Sequence, residues 1–167
     1  MLSILSQFWR IAQLKSGPEH LPASSFLLLL VTVLNIVLSL TISVSVGPQP
    51  ASMVATTILT NLAAQALLIF GRLYLVGNPA RLTQTLIAYF GCDLLMNLVI
   101  GVSILIMRLL GIDFMTTLAL TILFWSVLVF GYILHKAMEV HMAMTVALAF
   151  FLTMVTVALG QLAVGQT

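Results

Sequence analysis

SFLLLLVTVLNIVLSLTISVSV, residues 25–46, contains no charged residue, no glycine and no proline. An α-helix needs about 20 predominantly apolar residues to cross the hydrocarbon core of a bilayer. This stretch is long enough, and it is longer than the apolar core of a cleavable signal peptide. It therefore predicts a transmembrane helix that stays in the protein as an anchor.

The composition of the whole chain extends this prediction beyond the first helix. Of the 167 residues, 62% are hydrophobic and only 6% are charged, which leaves too little polar surface to cover a soluble core of this size. Lipid as the surrounding solvent removes that difficulty. The sequence thus predicts an integral membrane protein and excludes an ordinary soluble domain.

The five prolines mark boundaries between apolar runs. Proline lacks the backbone N–H, and hydrocarbon cannot replace the missing hydrogen bond, so proline is kept out of lipid-facing helix interiors. The prolines are Pro18, Pro22, Pro48, Pro50 and Pro79. Together with the charged residues they predict an all-α fold, with an interfacial segment over residues 1–23 and a single transmembrane domain over residues 24–167. The five predicted spans cover residues 24–46, 51–76, 81–110, 114–134 and 140–162.

The basic residues predict how these spans are oriented. If the N-terminus faces the cytoplasm, five of the 6 basic residues lie on the cytoplasmic side and only Arg108 lies on the far side. This arrangement agrees with the positive-inside rule, whereas the inverted arrangement opposes it. We therefore expect a cytoplasmic N-terminus and an external C-terminus. The five cytoplasmic basic residues are Arg10, Lys15, Arg72, Arg81 and Lys136.

The N-terminal segment has the pattern of an amphipathic helix. Apolar side chains recur at helical spacing from Leu2 to Ala12, and the polar ones fall mostly on the opposite face. Such a helix lies flat in the headgroup region of a membrane. It either offers a docking surface for a partner or only orients the first span, and the second interpretation is favoured. The predicted interfacial anchor residues are Phe8, Trp9, Arg10 and Lys15.

Polar side chains at bilayer depth form the candidate functional site. Asp93 lies about 12 residues into the third span, near the midplane, and Asn97 follows one turn later on the same face. A carboxyl group there costs roughly 2.5–3.5 kcal/mol on insertion scales, so we expect it to face the bundle interior or water. Amides at matching depth are Asn35, Asn61 and Gln65.

Two interpretations of this intramembrane polar cluster stay open. In the first, the five side chains hydrogen-bond one another and hold the bundle together, with Asp93 neutral. In the second, Asp93 is the centre of a pathway for protons or cations. A transporter more often has paired ionisable groups and helices broken by Gly or Pro at mid-depth, and only Gly91 hints at such a break. The sequence therefore favours the structural cluster.

No catalytic or metal-binding signature accompanies the cluster. Cys92 is the only cysteine, which excludes an intrachain disulfide. His135, Glu139 and His141 supply polarity between the last two spans, where we expect a hydrophilic kink, but they do not form an H-E-x-x-H zinc motif. Phosphate-binding glycine loops and nucleophile elbows are also missing. We expect no enzyme activity, no cofactor, no metal site and no nucleic-acid partner.

Two stretches of the sequence resemble a known family. Residues 78–86, NPARLTQTL, continue to Gly91, and residues 124–129, FWSVLV, continue to Gly131. They are similar to a middle helix and to the penultimate segment of the Ypt-interacting-protein (YIP) domain family, whose members have five spans and a cytoplasmic N-terminus. The Asp-Leu-Tyr-Gly-Pro motif of the eukaryotic members is missing. The resemblance implies a bacterial inner-membrane relative, in a family that binds partners and shapes membranes rather than catalysing reactions.

These observations predict an accessory or scaffold protein for other membrane components. Its short loops limit contact to the membrane and its surface. The expected partners are therefore membrane lipids, together with other integral membrane proteins or a second copy of the chain as a homo-oligomer. The alternative function is a small proton- or cation-coupled transporter that uses Asp93.

Overall fold

The computed structural model describes residues 2–46, 49–112 and 114–163, and it contains six α-helices in these ranges. The helices are α1 (Leu2–Ala12), α2 (Ser25–Val46), α3 (Ala51–Leu75), α4 (Leu82–Leu110), α5 (Met115–Met138) and α6 (Met142–Ala163). Two short 3₁₀ turns, Pro18–His20 and Pro79–Arg81, precede α2 and α4. No residue in the described ranges lies in a β-strand. The predicted all-α class, including an N-terminal amphipathic helix, is confirmed.

Helices α2 to α6 are each long and apolar enough to cross a bilayer, so the protein is an integral membrane protein. Their bounds differ from the predicted spans by only a few residues. Pro18, Pro22, Pro50 and Pro79 all lie outside these five helices. Pro48 falls outside the described residues.

The boundary between α5 and α6 differs most from the prediction. The predicted spans stop at residue 134 and restart at 140, whereas α5 continues to Met138 and α6 begins at Met142. Glu139 ends α5 in the left-handed conformation with a φ of 57°, and its N–H bonds the carbonyl of His135. A tight left-handed turn thus takes the place of the expected kink, although the turn contains neither glycine nor proline.

The five long helices form a closed ring through their contacts. Helix α2 packs against α4, α4 against α5, α5 against α6, α6 against α3, and α3 against α2. Helix α3 also contacts α4. Neighbours in the ring are therefore not always neighbours in the chain, and α4 lies between α2 and α5.

Helices α5 and α6 approach each other closely at Gly131. A Cβ atom at this position would meet both the backbone and the side chain of Val146, so glycine is required for the contact. Small residues let membrane helices approach closely and gain van der Waals contact, which replaces the hydrophobic effect between helices in lipid. On the same part of α5, Ile133 and Leu134 are fully buried.

The N-terminal helix α1 packs its apolar face against the bundle. Phe8 and Ile11 are only 4% and 0% exposed, and α1 contacts both α4 and α5. The ring of Phe8 occupies the space that a side chain at Gly91 of α4 would need. Gly91 lies about 15 Å along the helix from Arg81, at about 1.5 Å per residue. Helix α1 therefore reaches well along the length of the spans.

The predicted anchor residues divide between the two faces of α1 and the turn after it. Trp9 is 54% exposed, and Arg10 and Lys15 are exposed as well, so these three side chains are free to meet lipid. Phe8 differs from the prediction, because its burial against Gly91 makes it a packing residue of the bundle rather than a lipid anchor. The amphipathic pattern identifies the buried face, but protein covers that face where lipid was expected.

We expect Gly131→Ala to destabilise the protein by about 1–3 kcal/mol, the range for overpacking a tight contact. The added methyl group would clash with the backbone of Val146, which cannot move without separating α6 from α5. Gly71→Ala is the matched control, because a Cβ at Gly71 meets nothing within 4 Å. Thermal unfolding in detergent measures both variants, and equal stability of the two would contradict the close contact.

Phe8→Ala is expected to loosen α1, because it removes the ring that packs on Gly91. Trypsin should then cleave faster after Arg10 and Lys15, since cleavage requires local unfolding of the segment. Trp9→Ala is the control, and its exposed side chain should leave the cleavage rate unchanged. A larger acceleration by Trp9→Ala than by Phe8→Ala would mean that lipid, and not the bundle, holds α1.

Candidate functional site

Asp93 accepts hydrogen bonds from two amide side chains inside the bundle. Asn35 of α2 donates from Nδ2 to Asp93 Oδ2 at 2.7 Å. Asn97, one turn further along α4, donates to the same oxygen at 3.5 Å. Asn35 is only 1% exposed, so its amide depends on these partners. The bond between Asn35 and Asp93 fixes α2 against α4 at this depth.

The hydrogen-bond network extends through Asn97 and Ser39. Asn97 Nδ2 also donates to Asn35 Oδ1 at 2.9 Å and to Ser39 Oγ at 3.0 Å. Ser39 donates from Oγ to Asn35 Oδ1 at 3.1 Å. Hydrogen bonds between membrane helices are worth about 0.6 kcal/mol on average and about 1.7 kcal/mol at most. The network therefore stabilises the α2–α4 pair through several modest contributions.

The contact between α2 and α4 continues beyond the network. Gly101 of α4 meets Ile42, whose Cδ1 would lie 3.3 Å from a Cβ at the glycine. Arg108, near the end of α4, donates to the backbone carbonyl of Ser45. Residue numbers rise together on the two helices, so α2 and α4 run in the same direction. The axial position of α2 relative to α4 is therefore the same at each of these contacts.

Asp93 also lines a cavity of about 330 Å³ between α4 and α5. Ser126 of α5 and Thr153 of α6 bring hydroxyl groups to the wall, and the remaining lining side chains are mostly apolar. Both hydrogen bonds that the described residues donate to Asp93 end on Oδ2. The carboxyl group thus has amides on its α2 side and a cavity on its α5 side.

The structure does not bring all five predicted cluster residues together. Asn35, Asp93 and Asn97 meet between α2 and α4. Gln65 lies between α3 and α6 instead, where its Nε2 donates to Thr156 Oγ1 at 3.2 Å. The depth of Gln65 matches that of the cluster in the sequence, but α3 has two ring neighbours and Gln65 faces α6.

The contact between α3 and α6 contains two buried acceptors without a donor. Oδ1 of Asn61 and Oε1 of Gln65 have no hydrogen-bond partner in the part of the chain that the structure describes. Asn61 packs against Gly160 of α6, where a Cβ would meet the amide group. Ordered water satisfies such buried groups in many proteins. The α3–α6 contact is therefore less completely hydrogen-bonded within the protein than the network at Asp93.

A second cluster of polar side chains lies at the end of the bundle where α4 begins. Arg81 and Glu139 form an ion pair of 2.9 Å, and Arg81 also donates to the carbonyl of Lys136 at 3.3 Å. His135 contacts the carbonyl of Val140 through Nδ1. Over the described ranges, no three His, Cys, Asp or Glu side chains are grouped to hold a metal ion. An exposed ion pair is worth about 0–1 kcal/mol, so these contacts mainly fix the turn between α5 and α6.

Three further residues with side-chain hydrogen bonds are not among the predicted site residues: Ser39, Thr156 and Trp125. Ser39 follows Asn35 by one helical turn, so the spacing rule for helix faces would have found it. Thr156 bonds Gln65, and the indole Nε1 of Trp125 donates to the carbonyl of Ala12 at 3.2 Å. No sequence signal marks these two residues, because their roles depend on how α5 and α6 are rotated within the ring.

We expect Asn35→Ala to destabilise the protein, because it removes the nearest donor to the Asp93 carboxyl group. A double-mutant cycle with Asp93→Ala should give a coupling free energy of about 0.6–1.7 kcal/mol, measured from unfolding in mixed detergent micelles. The control cycle pairs Asn35→Ala with Gln65→Ala, whose effects should add because the residues lie at separate contacts. Additivity in both cycles would contradict the network.

The geometry defines the candidate site as a carboxyl group near mid-depth that joins two parallel spans and borders a cavity. Two amides and one hydroxyl group complete its hydrogen-bond network. Comparison with protein-family models, with curated proteins and with solved structures gives no significant match to this chain.

Proposed function

We propose that this protein is a non-enzymatic accessory or scaffold subunit for other membrane components. The observation that carries the proposal is the hydrogen bond of 2.7 Å between Asn35 and Asp93. A carboxyl group at this depth is costly, and here its partners are amides that join two adjacent spans. The costly group is therefore used to hold helices together, which is what a protein that acts through its shape requires.

The outer surface of the bundle supports a function that depends on contacts. Large apolar side chains such as Phe26, Leu109 and Phe151 are more than 60% exposed. In lipid, helices associate by packing their surfaces, and little of the described chain lies outside the long helices. We propose that the partners are membrane lipids and either other integral membrane proteins or a second copy of the chain.

We also propose a bacterial inner-membrane location with a cytoplasmic N-terminus and an external C-terminus. Arg81 and Lys136 lie at one end of the bundle, joined through the Arg81 guanidinium group. Arg108 lies in the last turn of α4, at the opposite end. The positive-inside rule assigns the end with more basic residues to the cytoplasm.

We also propose that the chain is a relative of the YIP domain family. The two stretches that resemble that family, residues 78–91 and 124–131, each end on a glycine at a close contact. Gly91 receives the ring of Phe8, and Gly131 meets the backbone of Val146. A shared requirement for these glycines would explain the resemblance in physical terms.

A second candidate function is a small proton- or cation-coupled transporter centred on Asp93. The cavity of about 330 Å³ beside Asp93 favours it, because a carboxyl group that borders a cavity at mid-depth is suited to exchange a proton or hold a cation. Neither ion pair found among the described side chains involves Asp93, so the transporter would work without an ion-paired partner for this carboxyl group.

Purification of the tagged chain from native membranes in mild detergent tests the scaffold proposal. We expect a stoichiometric membrane partner, identified by mass spectrometry. Asp93→Asn should retain that partner, because the amide keeps the size of the side chain and an acceptor for Asn35. Deletion of residues 2–13 should release the partner if α1 forms the docking surface. A chain that purifies alone, with a proton flux that Asp93→Asn abolishes, would refute the scaffold and support the transporter.

A further inference from the structure

We propose that the cavity beside Asp93 binds a lipophilic organic monocation, an ammonium group that carries apolar substituents. This inference goes beyond the scaffold proposal, since a binding site of this kind requires neither a partner protein nor transport. It rests on the carboxyl group, on the cavity wall and on the distance to basic residues.

When it ionises, the carboxyl group of Asp93 carries a negative charge, and neither amide bond occupies its Oδ1 oxygen. Asn35 and Asn97 both donate to Oδ2, so neither of these bonds ends on Oδ1. The two amides hold the carboxyl group in place but are neutral, so they leave its charge uncompensated when it ionises. A cation in the cavity would meet a preorganised acceptor.

No ion pair found among the described residues includes this carboxyl group. Arg81, immediately before α4, and Arg108, near its end, lie about 18 Å and 22 Å away along the helix axis, at about 1.5 Å per residue. The guanidinium group of Arg81 is paired with Glu139 at 2.9 Å, and that of Arg108 donates to the carbonyl of Ser45. An ionised carboxyl group inside the bundle requires a partner, and a cationic ligand in the cavity would supply one.

The cavity wall selects an organic cation over a metal ion. Hard metal ions take about six to eight oxygen ligands, whereas the lining side chains offer one carboxyl group and a few hydroxyl groups. Most of the wall is apolar. It includes the aromatic rings of Tyr89 and Phe130, whose centroids are 4.6 Å apart. Aromatic faces attract cations such as quaternary ammonium groups, and apolar walls favour their substituents. The volume of about 330 Å³ fits a small ligand of this class.

Binding of radiolabelled benzyltrimethylammonium to the full chain in lipid nanodiscs tests the proposal. Saturable binding is expected, and Asp93→Asn should weaken its affinity at least tenfold because it removes the charge and keeps the shape. Ser126→Leu should weaken binding as well, because it fills the cavity opposite the carboxyl group. Glu139→Gln is the matched control, a carboxyl-to-amide change at the end of the bundle, and should bind as the wild type does.

The wild-type protein provides a test that requires no substitution. Neopentylbenzene has the shape of benzyltrimethylammonium without the charge, and it should fail to displace the labelled cation. Equal displacement by the neutral compound would show that the cavity takes any apolar group, including a lipid acyl chain, and would overturn the proposal. Unchanged affinity in Asp93→Asn, or no saturable binding, would overturn it too. Partner retention is a separate measurement, so the scaffold proposal and this one are able to fail independently.

Discussion

Hydrocarbon offers no hydrogen bonds, so a polar group within the spans is costly unless it finds a partner inside the protein. The bundle meets this constraint in two ways. Hydroxyl side chains such as those of Thr32, Thr57 and Thr153 donate to the carbonyl one turn earlier in their own helix. The amide of Asn35 reaches instead across to Asp93 on another helix. This hydrogen bond between helices fixes the position of α2 against α4, which form one side of the ring.

The packing of the bundle is concentrated around α4 and α5. In an apolar stretch of 18 residues, 39% of the α5 residues are buried inside the protein, against 17% of those in α2. The difference arises because α5 has α4, α6 and α1 as neighbours. Lipid tails are as apolar as leucine, so burial alone gives helices little reason to associate. Close approach supplies the attraction instead, at Gly91 beneath Phe8 and at Gly131 beside Val146. The fold therefore depends on positions without a side chain as much as on buried apolar ones.

The sequence predicts the fold class and the depth of each polar residue, but not the rotation of each helix. Depth follows from the constant rise of an α-helix, which places Asn35 and Asp93 at a similar level, and the two side chains hydrogen-bond each other. Rotation depends on which neighbours a helix has, and Gln65, at a similar depth, faces Thr156 on α6. The amphipathic pattern likewise places Phe8 on the apolar face of α1. Whether lipid or protein covers that face depends on Gly91, which lies far from Phe8 in the chain.

Helix α1 comes first in the chain, yet it packs on α4 and α5, which the ribosome makes later. Phe8 cannot reach Gly91, and the carbonyl of Ala12 cannot accept from Trp125, before both of those helices have entered the membrane. Until then, the apolar face of α1 must be covered by lipid acyl chains at the membrane interface or by the insertion machinery. The packing of α1 on the bundle therefore cannot precede the insertion of α4 and α5, and it distinguishes a chain with both helices in place from one that is less completely inserted.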